Sequence, residues 1–582
     1  MPDCPFNPAA ENIADLIYRF GSLQSERWNN TSSLCADYVS SDYIILHMPL
    51  TPDAVSMRVH PYYMIPSLFS PLDYNAMEAS GILSAFNSPA LNNQGKGVLI
   101  GLVDTGIDYR SPLFQNPDGT TRIAGIWDQS VPIEEDVLPA GVPDYYPMGG
   151  SSYGTEYTRE QINEALASDD PLSLVPTQDT IGHGTFLAGL AAGSSIPQED
   201  FTGAAPEAEL AVVKLKPAKK YLRDFYLIPS DAPAFQENDI MMGIKYLRMM
   251  ADRLKKPLVI LLAMGSNSGS HIGTSPLSQV TQNYSGFFGI ITVIAGGNET
   301  GAAHHFYASI PAGTEYEDVE IRVGKEEAER GFVLELWAAD ADTYTVGFIS
   351  PSGERISRIP IIANNETSIP FLLDATTITV NYQLIEAESG SQLIFMRFQT
   401  PAAGIWTVRV YNTQRFKGTF HMWLPVQGMI SEETVFLRPD PYSTITVPGN
   451  SRLPITVGAY DTSTGGIYIH SSRGFTPNQI IKPELAAPGV NILGPSVGRK
   501  PGSDTPMTTR TGTSAAAAIT AGAAANLLGW GIVEGNYPTM SEASVKSYLI
   551  RGAQRNPALT YPNREFGYGT LDLFQTFLRL RE

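Results

Sequence analysis

Three short blocks of this chain hold the groups needed to turn a hydroxyl into a nucleophile. Asp104-Thr-Gly-Ile-Asp108 offers a carboxylate in a tight turn. Gly182-His183-Gly-Thr-Phe-Leu-Ala-Gly189 offers an imidazole between glycines. Thr511-Gly-Thr-Ser514-Ala-Ala-Ala-Ala518 offers a hydroxyl at the head of an Ala-rich run. Alone, each has a plainer reading: a common turn, a polar contact before a helix, a helix N-cap. In the chain order Asp, His, Ser they match one of the orders in which a Ser–His–Asp triad occurs. The hydroxyl of Ser514 is protonated at neutral pH, so His183 would take its proton as general base and return it to a leaving amine. Asp104 would fix the tautomer of the ring and stabilise the imidazolium.

Such chemistry also needs donors for an oxyanion. Ala295-Gly296-Gly297-Asn298 ends an apolar run, and Asn298 is the candidate donor there. The helix that begins at Ser514 would aim its positive end at the same charge. The turn containing Gly512 and Thr513 would let a substrate backbone come close.

The elements that must position these groups are legible. GVLIGLVD (97–104), AELAVVKL (208–215), PLVILLAM (257–264) and GIITVIAGG (289–297) read as buried strands. Between two of them, Ile240, Ile244, Leu247, Ala251 and Leu254 step along one face of a helix capped by Asn238 or Asp239. Strands alternating with helices predict an α/β core with a mostly parallel sheet covered on both faces. In such sheets functional residues gather at the carboxyl ends of strands, so the three blocks can share one rim.

The vocabulary changes at residue 313. From there to 428 eight strand-like runs, from YEDVEIRV to WTVRVYN, with TFHMWLPV as a ninth, follow one another without a convincing helix. This predicts an inserted β-sandwich or jelly roll. After 428 the α/β pattern resumes, with an Ala-rich helix from 514 and another near 542–553. The expected units are 1–72, 73–312, 313–428 and 429–582. In the first, Ala10–Phe20 reads as a helix and Asp42–Met48 as a strand, with no core of its own assigned.

Composition narrows the function. Lys+Arg 39 against Asp+Glu 59 gives a net charge of −20, a poor surface for nucleic acid. The two cysteines, Cys4 and Cys35, both lie near the start, so no disulfide framework holds the body. The start shows neither a basic nor an apolar signal region, and the longest apolar run, Leu258–Met264, is too short for a bilayer. Synthesis in the cytoplasm and no membrane partner are the expectations.

Taken together, the four blocks resemble the signature blocks of the subtilisin-like serine proteases, as do Lys482-Pro-Glu-Leu-Ala-Ala-Pro-Gly489 and Gly567-Tyr-Gly-Thr-Leu-Asp572. The resemblance covers roughly 75–312 and 429–582. It implies an Asp104–His183–Ser514 triad, an oxyanion donor at Asn298, and a peptide bound as an extended strand beside Met264, Gly265, Ser266 and residues 295–298. It also implies a polypeptide substrate, no cofactor, and an N-terminal pro-region removed by self-cleavage near 60–75. Architecturally, the β insertion resembles the clostridial Csp germination proteases, which activate a pro-enzyme by limited proteolysis in the spore. Gly404-Ile-Trp-Thr-Val-Arg-Val410 is similar to jelly-roll strands of proprotein convertases, implying a rigidifying role for the insert.

The chain departs from the family at Phe186, where a second histidine is usual, and at Ala517 and Ala518. The 79 positions from Asp104 to His183 exceed those of compact members and include an acidic, Pro-rich stretch from Pro132 to Pro147. No calcium or other metal ligands can be carried over. Two other function classes compete: an inactive subtilase scaffold, against which the complete triad argues, and glycan binding by the jelly roll through Trp337, Trp406 and Trp423, for which core packing is the simpler explanation.

Overall fold

The computed structural model describes residues 6–19, 35–40, 42–51, 55–71, 78–88, 91–132, 153–197, 201–339, 341–362, 366–498 and 506–580. Cys4 and the Pro-rich stretch beyond Pro132 lie outside them.

An eight-stranded sheet forms the centre. Its spatial order is Leu485–Pro488, Ile455–Tyr460, Ile290–Ala295, Leu258–Leu262, Leu99–Asp104, Glu209–Lys214, Ile123–Asp128 and Thr155–Thr158. Neighbours run parallel except for the last pair. Side chains alternate between two cores. Ile100 and Leu102 face the helices His183–Ala192 and Thr513–Leu528, while Leu99 and Val103 face the helix Glu237–Leu254. That burial on both faces is why these strands read as continuous apolar runs.

The helix Glu237–Leu254 starts earlier than its sequence suggests. Its N-cap is Gln236, with no side-chain cap bond. The expected caps are committed elsewhere: Asp239 accepts from Tyr153 Oη at 2.6 Å and pairs with Lys216. The helix Thr513–Leu528 is buried at every position. Together with the turn that extends it to Val533 it is long and apolar enough to cross a membrane, yet 83% of its apolar 18-residue window is buried in protein. Its small residues let the surrounding strands and the His183 helix approach closely. A Cβ on Gly522 would stand 2.4 Å from the Ala204 Cβ.

All nine expected runs of the insert contain strands. They form an antiparallel six-stranded sheet, which begins with His305–Ser309, facing a five-stranded sheet, which ends with Val435–Phe436. Phe398, Trp406 and Phe420 fill the space between the sheets. Trp406 lies wholly in that core and donates its indole N–H to the Ala402 carbonyl at 2.8 Å, so it cannot stack on a ligand. Trp337 and Trp423 belong to the opposite face of the six-stranded sheet, turned toward the α/β part.

The N-terminal unit corrects one expectation. Ile13–Arg19 is a strand, not part of a helix, and with Tyr43–Pro49 and Ala36–Tyr38 it makes a three-stranded antiparallel sheet. Its apolar spacing imitates a helix because both faces are buried. Ile17 packs against the helix Glu237–Leu254, and Ala14 enters a second core. That second core is shared by three parts of the chain: Tyr62, Ile65 and Leu68 from the N-terminal unit, Tyr221 and Phe225 from the α/β part, and Trp337, Phe395 and Trp423 from the insert. Across the same junction Tyr62 donates to Glu335 at 2.5 Å, and Arg19 pairs with Glu388 at 2.7 Å.

A buried ionic cluster ties the N-terminal sheet down. His47 bonds Asp15 at 2.8 Å and Asp37 at 3.2 Å, and Lys219 of the α/β part meets Asp15 at 2.8 Å. Burial alone would lower the His47 pKa, but the hydrogen bonds to the two carboxylates raise it to about 9.

Candidate active site

Asp104 ends the third parallel strand from the edge formed by Thr155–Thr158 and its neighbours, where the chain turns into Thr105-Gly106. Oδ1 of Asp104 accepts the Thr105 N–H at 2.8 Å and the His183 Nδ1–H at 2.7 Å. That second bond leaves the lone pair of His183 Nε2 facing the Ser514 hydroxyl, 3.3 Å away. The last contact is slightly long, as nucleophile–base pairs often are before substrate closes them. The structure thus brings the three residues into one hydrogen-bonded line, although 331 positions separate His183 from Ser514.

Close backbone packing makes the line possible. Gly184 follows His183 at the head of its helix, and a Cβ there would come within 2.1 Å of the Gly106 carbonyl oxygen. Gly106 itself sits at φ +111°. The two turns can touch only because both positions are glycine.

Asp179 is a positioning residue that the sequence reading missed. Its carboxylate accepts the Gly182 N–H at 2.7 Å, the Thr185 N–H at 2.9 Å and the Thr185 hydroxyl at 2.8 Å. It also accepts the Thr105 hydroxyl at 2.9 Å, and Thr105 in turn accepts the Gly184 N–H at 2.9 Å. One buried carboxylate therefore caps the histidine helix and fixes it to the aspartate turn. The signal was present as an acidic residue just ahead of a helix start, though the cap residue itself is Gly182.

Asn298 follows the strand Ile290–Ala295. Its Oδ1 accepts the Thr513 N–H at 3.0 Å, while the Thr513 hydroxyl accepts the Gly297 N–H at 3.1 Å. The carboxamide is thereby oriented, with Nδ2 unpartnered among the described residues. The Ser514 N–H lies in the first turn of its helix, where no intrahelical acceptor exists. The side-chain amide and the main-chain N–H are thus both uncommitted donors of the kind an oxyanion requires.

The other candidate residues divide in two. Met264 and Gly265 form a short strand that pairs antiparallel with Leu68–Pro71, in the register Met264↔Pro71 and Gly265↔Ser70. On its other edge Leu68–Pro71 pairs with Phe235–Gln236, a second wall that had no periodic signal in the sequence. The N-terminal unit thus lies in the groove as a middle strand. Ser266 does not belong to that edge: its backbone N–H and C=O both bond Val447, at 3.0 and 2.9 Å. Gly296, Gly297 and Gly512 are likewise held by internal bonds, Gly296 N–H to Val457, Gly297 C=O to Ser472 and Gly512 N–H to Gly489. They shape the wall. Ser514 itself is fully buried and His183 is 2% exposed.

Phe186, at the departure from the usual histidine, is fully buried against Gly494. Among the described residues no group of three His, Cys, Asp or Glu side chains is placed to hold a metal ion.

The subtilase family pattern matches residues 95–349 and 438–569. The chain is 24% identical over 485 residues to subtilisin-like protease SBT3.12 of Arabidopsis thaliana, and 23% identical over 545 residues to its SBT3.5. These matches cover 81% and 87% of this chain but only 59% and 64% of the relatives. The solved structure of the Clostridium perfringens CspB protease matches with 30% identity and a TM-score of 0.74, covering 87% of this chain and 97% of that one. An Asp–His–Ser line at the rim of a parallel sheet and a family pattern spanning both halves of that sheet agree: the chain belongs to the subtilase family and has its α/β fold.

Proposed function

We propose that the chain is a serine endopeptidase of the Csp type, working through an acyl-enzyme. Ser514 Oγ attacks the scissile carbonyl carbon while its proton passes to His183 Nε2; Asp104 stabilises the imidazolium. The oxyanion takes hydrogen bonds from Asn298 Nδ2 and the Ser514 N–H. When the C–N bond breaks, His183 returns the proton to the departing amine. A water then repeats the sequence on the ester, with His183 again as base. The observation that carries this reading is the continuous Asp104–His183–Ser514 hydrogen-bonded line at 2.7 and 3.3 Å.

The substrate class follows from the groove: a polypeptide taken up as a strand between Met264–Gly265 and Phe235–Gln236. The N-terminal unit occupies that position, so the chain's own segment just beyond Pro71 is the first substrate, with the cut between 71 and 78. The physiological target is a pro-enzyme activated by limited proteolysis in or on a spore. Support for this finer role comes from the likeness to the CspB protease. The complete burial of Ser514 is the one observation favouring a non-catalytic scaffold.

A serine-reactive fluorophosphonate and intact-mass measurement test the reading. The expected result is one adduct on Ser514 and a cut between 71 and 78, with Ser514→Ala staying full length and unlabelled. A folded wild-type chain that is neither labelled nor cut, even after the N-terminal unit is displaced, overturns it in favour of the scaffold.

A further inference from the structure

The catalytic line uses none of the histidines at the junction between the α/β part and the insert. Two rows of the six-stranded sheet meet there in register. His305 faces Trp423 across one strand pair and Tyr307 faces His421 in the same pair. Glu335 and Trp337 continue the two rows on the next strand. Side chains two apart share a face, so these rings lie on one surface. The Trp423 ring is stacked on His271 of the α/β part, 4.1 Å between centroids and 6° between planes. Tyr307 contacts His421 at 4.9 Å.

Over this surface lies a cavity of about 840 Å³, within the range of small-molecule sites. Tyr307, Trp337, His421 and Trp423 line one side. Tyr442 and Gln479 line the other, and neither side chain has a protein partner for its polar end among the described residues. Tyr307 is 42% and Tyr442 38% exposed at the mouth, and the Arg564 guanidinium lies over the Tyr442 ring, 4.7 Å from its centroid.

The hydrogen-bond polarity of the wall can be traced atom by atom. The Asp440 carbonyl lies 3.2 Å from His305 Nδ1, so that nitrogen carries the proton and donates. His305 Nε2 is then an acceptor, and it faces His421 Nδ1 at 2.9 Å, which must be the donor. Both rings are neutral: burial, and then the neighbouring histidines, hold the His305 pKa well below its usual value and that of His421 at about 3. His421 Nε2 is left as a bare lone pair with no partner among the described residues. The Trp423 indole N–H is buried with no acceptor among the described residues.

We propose that this cavity is a binding site for a short oligosaccharide of two or three pyranose rings. The C–H faces of such rings match the exposed ring of Tyr307, and the Arg564 guanidinium over Tyr442 offers N–H donors to ring hydroxyls. Each hydroxyl both donates and accepts, as a wall with a bare acceptor at His421 and an open amide at Gln479 requires. A peptide fits less well, because the lining rings and polar side chains project from the face of the sheet, whereas backbone pairing needs its edge. A purely apolar ligand would leave the polar groups unpaired. Asp440 and Arg564 place both signs of charge on the wall, so it is not built for a simple ion.

The test titrates the full-length chain with cellotriose, maltotriose, tri-N-acetylchitotriose and an uncharged Gly/Ser pentapeptide, read by calorimetry and tryptophan fluorescence. At least one trisaccharide is expected to bind with one-to-one stoichiometry, and His421→Phe, which keeps a ring but removes the lone pair, to weaken it by about tenfold or more. Tyr307→Ala, at an exposed position that tolerates truncation, is expected to weaken it similarly. Peptide hydrolysis by both variants should stay unchanged, which separates failure of this site from failure of the protease reading. The proposal is overturned if no trisaccharide binds at up to about 10 mM, if both folded variants bind as the parent does, or if only the pentapeptide binds.

Discussion

Thr513 donates its backbone N–H to Oδ1 of Asn298 at 3.0 Å. Because a main-chain N–H can meet only the oxygen of a carboxamide, this bond decides which way the amide is turned and leaves Nδ2 as the free donor. Thr513, the residue before Ser514, thus sets the orientation of the Asn298 carboxamide.

Replacing Asn298 with alanine should lower kcat about 10²–10³-fold with little change in KM, since the lost bond forms fully only with the oxyanion. Asn298→Asp can still accept from Thr513 but has no donor, and should do no better. Steady-state kinetics on a chromogenic peptide checks both.

Asp104→Asn should lower kcat by about 10⁴-fold, because a carboxamide NH₂ facing His183 Nδ1 favours the wrong tautomer. Binding of a substrate-like inhibitor should be retained. Equal loss of both would mean the fold had been disturbed instead.

The grip on the N-terminal unit should depend on pH. His47 has a folded pKa of about 9, above its unfolded value near 6.5. Its contribution, of order 3 kcal/mol, is therefore fully present below about pH 6.5 and lost as pH rises through 9. Thermal stability and retention of the cut N-terminal fragment should both decline between pH 7 and 10. His47→Gln should show a weaker grip at pH 6 and a flatter profile.

Glu542 gives the same direction of pH dependence from an acid, through a buried charge that forms at high pH rather than one that is lost. Burial raises its pKa to about 8 against the pull of Lys546. For an acid so raised, stability is full below about 4.5 and falls as pH rises through 8. One oxygen of Glu542 accepts the Thr292 N–H at 2.6 Å and the other has no hydrogen-bond partner among the described residues. Glu542→Gln keeps the first bond without the buried charge. Its melting temperature should exceed that of the parent at pH 9 and match it near pH 4.5.

Gly494→Ala should destabilise the protein by about 1–3 kcal/mol. The new methyl would stand 2.3 Å from the Phe186 ring. Urea unfolding measures the loss, and Phe186→Leu in the same chain should recover part of it.

The Asp104–His183–Ser514 line was legible because each member is announced locally, by a turn at a strand end or by glycines at a helix head. The parallel sheet was legible because strands buried on both faces are written as unbroken apolar runs. What escaped depended on distant partners. Asp15 looks like the polar break in an amphipathic helix until Lys219 and His47 are seen around it. Phe235–Gln236 becomes a groove wall only through its pairing with Leu68–Pro71, and Asp179 becomes a cap only once the aspartate turn and the histidine helix are folded together.

The insert also orders events in time. Val293 and Ile455 are adjacent partners in the central sheet, yet the whole β-domain is translated between them. Asp104 and His183 leave the ribosome early; Ser514 follows only after the insert has emerged. Closing so long a loop adds little free energy, about 0.6 kcal/mol per doubling, but contacts of such high sequence separation form slowly. A nascent chain therefore carries Asp104 and His183 without Ser514 through most of its synthesis, and the hydrogen-bonded line can close only when the molecule is almost complete.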